Sequence, residues 1–321
     1  MKALWVWRGV VCGAAMLCAQ TGELGPPPGQ LVDIGGRMLH IHCTGSGSPA
    51  VILEAGASAF AIDWALVQPE IARTQRVCSY DRAGSGWSDS RKSVESAASI
   101  AADLHAALQA VGEKPPYIMV GASAGGIYVR FYDVSYPGEV KGMVLVDPAS
   151  EERLYTTIDG KPVLIASVTA EQLRATIPPG PVSVPRRRPQ TGGPFDRLPR
   201  ELYETRVKLD TRVVESIPLS VPHDAVLERA EGERAALAKL HQLSATQEHP
   251  LGDRPLIVLT RGIDSSSGQQ EAHEALARMS SNSRHRVVAE AGHEIHLFQP
   301  AAVVQAIRDV TDAVNGGTQL K

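Results

Sequence analysis

The sequence predicts an α/β fold in which a mostly parallel sheet is covered by helices on both faces. Short apolar runs alternate with helical patterns from Leu31 onward, and several of these runs are continuous and rich in β-branched residues. Continuous apolar strands are typical of parallel sheets, because helices bury both of their faces. The 321 residues are also enough for one large core with an inserted segment.

Eight apolar runs are predicted as strands: LVDIG, RMLHIHCTG, AVILEAG, RVCSYDR, YIMVGAS, GMVLVDP, PLIVLTRG and RVVAEAG. A helix is predicted over 93–112, with its apolar face formed by Ile100, Leu104, Leu108 and Val111. A second helix is expected to begin after Ser123 and to end before Pro137, since proline disrupts a helix interior. A last helix is expected to follow Pro300.

The alternation of strands and helices breaks between residues 150 and 250. The segments EERLYTT, AEQLRATI, RELYETRVKLDTRVV and AVLERAEGERAALAKLHQL are charged and predicted as helical, and the stretch PGPVSVPRRRPQTGGPF between them is predicted as an exposed loop. We therefore predict a core domain over 20–149 and 251–321, with a helical cap or lid insertion over 150–250. The arginines between Pro185 and Pro189 are interpreted as part of a solvated loop.

The first residues have the pattern of a signal peptide. Lys2 and Arg8 precede an apolar run from Gly9 to Ala19, and this run is shorter than the ~20 residues that a membrane span needs. The pattern predicts a signal peptide over 1–19, cleavage near Ala19, and an exported protein, periplasmic or secreted, with no stable membrane span after cleavage. An uncleaved anchor or a cytoplasmic protein is the alternative.

Export would leave two of the four cysteines, Cys43 and Cys78, in the mature chain. An even pair in an oxidising compartment favours one disulfide, and two buried free thiols are the alternative. The net charge of −3 provides no electrostatic attraction for nucleic acid or anionic membranes. The sequence does not indicate an oligomeric state.

The stretch Gly121-Ala122-Ser123-Ala124-Gly125 has the pattern G-x-S-x-G, between an apolar run and a helical segment. A tight strand-to-helix turn brings its neighbours close to adjacent strands, so that the flanking residues must be small. Such a turn strains the serine and exposes its hydroxyl. We therefore predict that Ser123 is a nucleophile.

Three further segments complete a resemblance to the α/β-hydrolase fold family. They are EAGASAF (Glu54–Phe60), YDRAGSGWSD (Tyr80–Asp89) and AGHEIHLFQP (Ala291–Pro300). They are similar to the family's oxyanion turn, its D-x-R-G-x-G-x-S segment and its C-terminal histidine turn. The resemblance covers nearly all of Leu31 to Val314 and implies an eight-stranded, mostly parallel sheet and a serine esterase without a cofactor.

A serine nucleophile needs a base and an acid that orients the base. His293 is predicted as the base because it follows the last strand on a glycine turn, and His296 is interpreted as packing or pocket lining. Asp264, just past the penultimate strand, is the favoured acid. Asp147, just past the strand after the nucleophile, is the alternative. Either choice keeps the chain order serine, acid, histidine.

The resemblance also implies an oxyanion hole formed by the backbone N–H groups of Ala57 and Ala124. The chain departs from the family pattern at Ala55, which replaces a histidine in the oxyanion turn, and at Ala122, which replaces a bulkier residue before the serine. In the family, the strands that carry Cys43 and Cys78 are neighbours, so the resemblance favours their disulfide.

Motifs for metal or nucleotide binding do not fit the sequence. His293-Glu294-Ile295-His296 is one residue shorter than the zinc-binding H-E-x-x-H, and His40 and His42 have no apparent third ligand. The glycines of AGSGWS have no strand–loop–helix context, and no phosphate-binding loop occurs. We therefore predict no metal and no cofactor.

The sequence thus predicts an exported serine hydrolase, a carboxylesterase that cleaves small or medium acyl esters through an acyl-enzyme. An acyltransferase or a peptidase on the same scaffold is one alternative. A non-catalytic hydrolase-like binding protein is another, although such proteins typically lack one of the three catalytic residues.

Overall fold

The computed structural model describes residues 24–91 and 94–320, so the signal peptide predicted over 1–19 lies outside the described residues. The strands are β1 (Gln30–Asp33), β2 (Met38–Thr44), β3 (Ala50–Glu54), β4 (Val77–Tyr80), β5 (Tyr117–Ala122), β6 (Val140–Val146), β7 (Tyr155–Ile158), β8 (Lys161–Leu164), β9 (Val182–Ser183), β10 (Ser220–Val221), β11 (Leu256–Arg261) and β12 (Ser283–Val288). The helices are α1 (Gln68–Ala72), α2 (Ala97–Ala110), α3 (Gly125–Ser135), α4 (Ala170–Thr176), α5 (Arg200–Ser216), α6 (His223–Thr246), α7 (Ser267–Ala277), α8 (Ile295–Phe298) and α9 (Pro300–Gly316).

A central sheet contains all eight strands that the sequence predicts. Their order is β1-β2-β4-β3-β5-β6-β11-β12. The pairs β1/β2 and β2/β4 are antiparallel, and the other neighbouring pairs are parallel. The predicted fold class is confirmed. Because β3 to β6, β11 and β12 run in the same direction, the loops that follow them meet at one edge of the sheet.

Helices bury both faces of this sheet. On one face, α2 and α3 pack in a core cluster, with the α2 residues Leu104 and Leu108 fully buried. On the other face, α1 and α9 pack in a second cluster, with the α9 residues Val303 and Ile307 fully buried. The apolar face predicted for the helix over 93–112 is therefore confirmed, and the helix expected after Pro300 is present. Within the described chain, no helix combines the length and the hydropathy that a bilayer crossing requires.

Cys43 of β2 and Cys78 of β4 lie directly opposite each other and form a disulfide, with 4.0 Å between their Cα atoms. The predicted pairing is therefore confirmed. Glu113 lies close to these sulfur atoms, and Cys43, Cys78 and Glu113 are the one group in residues 24–91 and 94–320 whose spacing could suit a metal ion. The two cysteine sulfur atoms are bonded to each other, so they do not act as thiolate ligands.

The chain between β6 and β11 contains the predicted helices α4, α5 and α6, and also strands that the sequence analysis did not predict. EERLYTT forms one 3₁₀ turn, Glu151–Arg153, and then enters the antiparallel hairpin β7/β8. The turn of this hairpin is Asp159-Gly160, with φ of 49° and 74°. Asp-Gly favours a two-residue hairpin turn of this kind, and this local preference overrides the helical pattern. β9 and β10 form a second short antiparallel pair.

A buried ion pair ties β2 to the loop after β4. His40 is fully buried, with Nδ1 2.6 Å from Asp81 Oδ2 and Nε2 2.5 Å from the carbonyl oxygen of Pro28. Both ring nitrogens face acceptors, so only the protonated imidazolium can donate to both. Burial alone would lower the pKa of His40, but the hydrogen bond and charge of Asp81 outweigh it and raise the pKa above its ordinary value.

We expect His40→Gln to lower the free energy of unfolding by about 3 kcal/mol at pH 6, because it leaves the buried Asp81 carboxylate without its charged partner. A raised histidine pKa gives stability that is fully present below the unfolded pKa of about 6.5 and is lost as pH rises through the folded pKa. The difference between variant and wild type should therefore shrink toward pH 10.

Urea unfolding at a series of pH values measures this effect. His42→Gln is the matched control, since His42 lies on the same strand and, within the described chain, no carboxylate acts on the charge of its ring. A loss of stability in His40→Gln that is the same at pH 6 and pH 10 would contradict the charged state of His40.

Candidate active site

Ser123 forms the sharp turn between β5 and α3. Its φ of 51° lies in the left-handed region, which residues other than glycine seldom adopt. Its N–H donates to the carbonyl of Val146 at 3.0 Å, and its own carbonyl accepts from the N–H groups of Gly126 at 3.0 Å and Ala149 at 2.8 Å. These bonds fix the turn against the chain that leaves β6.

The glycines of this turn lie where a side chain has no room. A Cβ atom on Gly121 would be 2.5 Å from the carbonyl oxygen of Gly125, and one on Gly125 would be 2.7 Å from the carbonyl oxygen of Glu54. A Cβ atom on Gly126 would be 2.7 Å from the Cβ of Pro148. The crowding that the G-x-S-x-G pattern predicts is therefore present.

His293 lies in the loop between β12 and α8 and reaches Ser123. Its Nε2 is 2.9 Å from Ser123 Oγ, and its Nδ1 is 2.5 Å from Asp147 Oδ2. Gly292 allows this approach, because a Cβ atom there would be 2.9 Å from the ring of Phe298. The structure thus joins serine, imidazole and carboxylate in one hydrogen-bonded chain.

The carboxylate in this hydrogen-bonded chain is that of Asp147 and not that of Asp264, the acid that the strand pattern favours. Asp264 is exposed, in a turn three residues beyond the end of β11, with a φ of 55°. Asp147 directly follows β6 and is buried. It therefore occupies the sheet edge beside Ser123, while the turn after β11 directs Asp264 into solvent.

Several donors hold the Asp147 carboxylate in place. Its Oδ1 accepts from the N–H of Arg261 at 3.1 Å and from Nε2 of Gln269 at 3.0 Å. Its own N–H donates to the carbonyl of Leu259 at 2.8 Å. A buried carboxylate requires such donors. The fixed Oδ2 accepts the Nδ1–H of His293, which leaves Nε2 free to accept a proton from Ser123.

The two predicted oxyanion donors flank the serine. Gly56 packs closely against Ser123, because a Cβ atom on Gly56 would be 3.2 Å from the Cβ of Ser123. Ala57 lines the same cavity as Ser123 and His293. Ala124 directly precedes α3 as its N-cap residue. Within the described residues, neither the N–H of Ala57 nor that of Ala124 is bonded to a backbone carbonyl. Both are available to an oxygen bound beside Ser123.

Arg82 fixes the loop that carries Ala57. Its guanidinium donates to the carbonyl oxygens of Ala55 at 2.7 Å and Gly56 at 2.6 Å, and to Glu54 Oε1 at 2.5 Å. Both side chains of the ion pair are buried. Burial raises the pKa of Glu54, although the charge of Arg82 opposes the shift. Arg82 thus organises the loop in which Ala55 replaces the family's histidine.

The cavity beside Ser123 is small, about 60 Å³, and the segment between β6 and β11 closes part of it. Besides Ser123, Ala57 and His293, its lining includes Asp63, Gln190, Phe195, Arg206 and His296. Arg206 and Asp63 form an ion pair of 2.9 Å in which both side chains are essentially inaccessible to solvent. Burial raises the pKa of Asp63 to about 6 in spite of the opposing charge of Arg206.

His296 lines this cavity with a neutral imidazole, in agreement with the prediction that it packs or lines the pocket. Its ring lies 4.7 Å from that of Trp64. Burial, together with the neighbouring groups of His293 and Arg206, lowers its pKa to about 3. Its Nδ1 has no hydrogen-bond partner in the described chain.

The sequence patterns predict roles for Ser123 and His293 but none for Arg82 or Arg206. Arg82 lies in the quoted segment YDRAGSGWSD, so that motif could have indicated it. Arg206 lies on a charged helix, α5, where nothing in the local pattern distinguishes a buried arginine from the exposed charges beside it.

We expect Arg82→Lys to lower kcat about tenfold with little change in KM. A lysine ammonium lacks the planar guanidinium geometry that donates to Glu54 and to the carbonyl oxygens of Ala55 and Gly56 at the same time. The loss should be smaller than that for removing an oxyanion donor itself, about 10²–10³-fold. Steady-state kinetics on a nitrophenyl ester measures it.

Arg76→Lys is the matched control, because Arg76 likewise bonds a carboxylate, Glu113, and a carbonyl, that of Gly45. Equal losses of kcat in Arg76→Lys and Arg82→Lys would contradict the positioning role of Arg82.

Comparisons with known proteins agree with this architecture. A curated relative, the uncharacterized protein YqjL of Bacillus subtilis, is 25% identical over 275 residues, which cover 84% of this chain and 86% of YqjL. A thermophilic esterase from Thermogutta terrifontis aligns in structure with a TM-score of 0.59 and 23% identity, over 89% of this chain and 98% of that one. The carboxylesterase CesB of Bacillus subtilis aligns with a TM-score of 0.59 and 18% identity, over 92% of this chain and 96% of that one.

At these identities the structural alignments establish the fold alone. The family model described as "alpha/beta hydrolase fold" matches residues 49–300, which include Ser123, Asp147 and His293. The chain therefore belongs to the α/β-hydrolase fold family.

Proposed function

We propose that this protein is a serine carboxylesterase in which Ser123 is the nucleophile, His293 the general base and acid, and Asp147 the acid that orients His293. The observation that carries the proposal is the hydrogen-bonded chain from Ser123 Oγ through His293 to Asp147. A serine with an adjacent base and a buried carboxylate behind that base is the arrangement that acyl transfer requires. The esterases among the structural neighbours support the same reaction class.

In the first half of the reaction, Ser123 Oγ attacks the acyl carbon of the ester while its proton passes to Nε2 of His293. The carbonyl oxygen becomes an oxyanion and accepts hydrogen bonds from the N–H groups of Ala57 and Ala124. Asp147 stabilises the imidazolium through Nδ1–H. The bond between the acyl carbon and the alcohol oxygen then breaks, and His293 protonates the departing alcohol.

In the second half, water attacks the acyl carbon of the acyl-enzyme and gives a proton to His293. The bond between the acyl carbon and Ser123 Oγ breaks, and the proton of His293 returns to Oγ. The free acid leaves, and the serine is regenerated. The N–H groups of Ala57 and Ala124 stabilise the second oxyanion as they did the first.

The segment 150–250 acts in this proposal as a cap that limits the substrate to small or medium acyl esters. Support comes from Gln190, Phe195 and Arg206, which line the cavity beside Ser123, and from the cavity's volume of about 60 Å³. An acyltransferase or a peptidase would share the acyl-enzyme and differ in the acceptor or the leaving group. No contact among the described residues favours either of these activities, and the labelling and turnover assays separate them from an esterase.

We also propose that the protein is exported, with cleavage near Ala19. The disulfide between Cys43 and Cys78 supports this, because such bonds persist in oxidising compartments. The hydropathy of the described helices is compatible with it.

A fluorophosphonate probe should label the wild-type protein at Ser123, and Ser123→Ala should lose both the label and turnover of nitrophenyl esters from acetate to octanoate. The cavity volume predicts faster turnover of the short esters. Ser79→Ala is the control, since Ser79 is a buried serine outside this cavity. A well-folded wild type that is neither labelled nor active would favour a binding protein. Labelling without ester turnover would favour another acyl substrate or acceptor.

Asp147→Asn should lower kcat by about 10³–10⁴-fold, because an amide no longer holds His293 in the tautomer that accepts the serine proton. Asp264→Asn should change kcat by less than about twofold, since a surface substitution outside the hydrogen-bonded chain has little effect. Steady-state kinetics of the two variants, side by side, measures the contrast. A large loss in Asp264→Asn with little loss in Asp147→Asn would reverse the assignment of the acid.

Expression of the full chain in a Gram-negative host should yield a periplasmic protein whose intact mass corresponds to a chain that begins at Gln20. Val11→Arg should retain the uncleaved chain in the cell, because it places a charge inside the apolar run. A wild-type protein that stays in the cytoplasm with its first residues intact would contradict export.

A further inference from the structure

Arg206 has hydrogen-bonding capacity that its protein partners do not use. Its Nε donates to Asp63 at 2.9 Å, its Nη1 to the carbonyl oxygen of Gln190 at 3.2 Å, and its Nη2 to Oε1 of Gln190 at 3.2 Å. A guanidinium has five N–H groups. Two of those on Arg206 therefore have no acceptor in the described chain, although the side chain is fully buried.

The guanidinium is held rigidly in the wall of the cavity that Ser123 also lines. Its Cζ lies 3.3 Å from the ring centre of Phe195 and 5.5 Å from that of Phe60. Its partner Asp63 is itself fixed, since Oδ2 accepts the N–H of Phe60 at 3.1 Å. Because stacking and the ion pair already immobilise the fork, a substrate oxygen that meets it binds without ordering a flexible side chain.

The charge of this wall of the cavity is balanced. Arg206 is paired with one carboxylate, Asp63, and His296 beside it is neutral. A substrate carboxylate would therefore add an uncompensated negative charge to a buried site, which is unfavourable. A neutral oxygen would accept from the free N–H groups without that cost. A purely alkyl group would leave these N–H groups without an acceptor.

We propose that the enzyme prefers esters that carry a second, neutral oxygen, such as an ether, hydroxyl or keto oxygen, two to four bonds from the scissile carbonyl carbon, and that Arg206 donates to it. The inference rests on the proposed esterase function and adds a substrate class to it. The small cavity limits this class to short groups. Burial of an unsatisfied donor explains the discrimination against alkyl esters of the same size.

Two pairs of nearly isosteric esters test the proposal. Nitrophenyl methoxyacetate and nitrophenyl butyrate differ in an oxygen on the acyl side, and 2-methoxyethyl acetate and butyl acetate differ in an oxygen on the alcohol side. For each pair, the ratio of kcat/KM for the ether to that for the alkyl ester is measured. Differences in intrinsic reactivity cancel when the ratio is compared between wild type and variants.

The double variant Arg206→Met/Asp63→Asn removes the N–H donors of Arg206 without leaving the buried charge of Asp63 unpaired. Arg206→Lys is a second variant that keeps a cation opposite Asp63 if the first does not fold. Arg187→Gln is the matched control, because Arg187 also pairs with a buried carboxylate, Asp210, in the same inserted segment but does not line the cavity.

In at least one of the two pairs, we expect the ratio to fall about tenfold in the double variant and severalfold in Arg206→Lys, and to stay within about twofold of wild type in Arg187→Gln. The responding pair identifies the side of the ester that carries the oxygen. Ratios unchanged in both pairs and both Arg206 variants would overturn the role of Arg206. Absence of wild-type turnover for all four esters would instead contradict the proposed esterase function.

Discussion

The close approach of the β5–α3 turn to its neighbouring strands is the constraint on which the candidate site depends. Gly121, Gly125 and Gly126 leave no space for side chains, so the turn can tighten until Ser123 adopts a left-handed conformation. Its backbone is bonded to Val146 and Ala149 on the next strand and loop. The serine is therefore positioned by backbone packing, and the groups that meet it must be placed with the same precision.

Buried carboxylates provide that precision, and each holds a different segment of the chain. Asp147 fixes His293, Glu54 holds Arg82 and through it the turn at Gly56, and Asp63 holds Arg206 of the inserted segment. In each case the buried charge has a charged or hydrogen-bonding partner, as its location requires. The core and the inserted segment thus contribute ionic groups to one small cavity beside the serine.

Much of this arrangement could be predicted from the sequence. The eight strands, the disulfide, Ser123 and His293 follow from local patterns and from the resemblance to the family. Asp147 and Asp264 could not be distinguished in this way, because both follow strands that end at the same edge. A three-dimensional contact distinguishes them, since the carboxylate of Asp147, and not that of Asp264, is hydrogen-bonded to His293. The hairpin β7/β8 was missed because the Asp159-Gly160 turn outweighs a helical pattern. The position of Arg206 could not be predicted, because its ion pair with Asp63, 143 residues away in the sequence, leaves no local signal.

The hydrogen bond between His293 and Asp147 is the most direct test of the central claim. Proton NMR of the purified protein detects an imidazole N–H in a strong hydrogen bond as a resonance far downfield of the amide protons. We predict that this resonance is present in wild type and in Asp264→Asn and absent in Asp147→Asn. A resonance that survives in Asp147→Asn and disappears in Asp264→Asn would contradict the account.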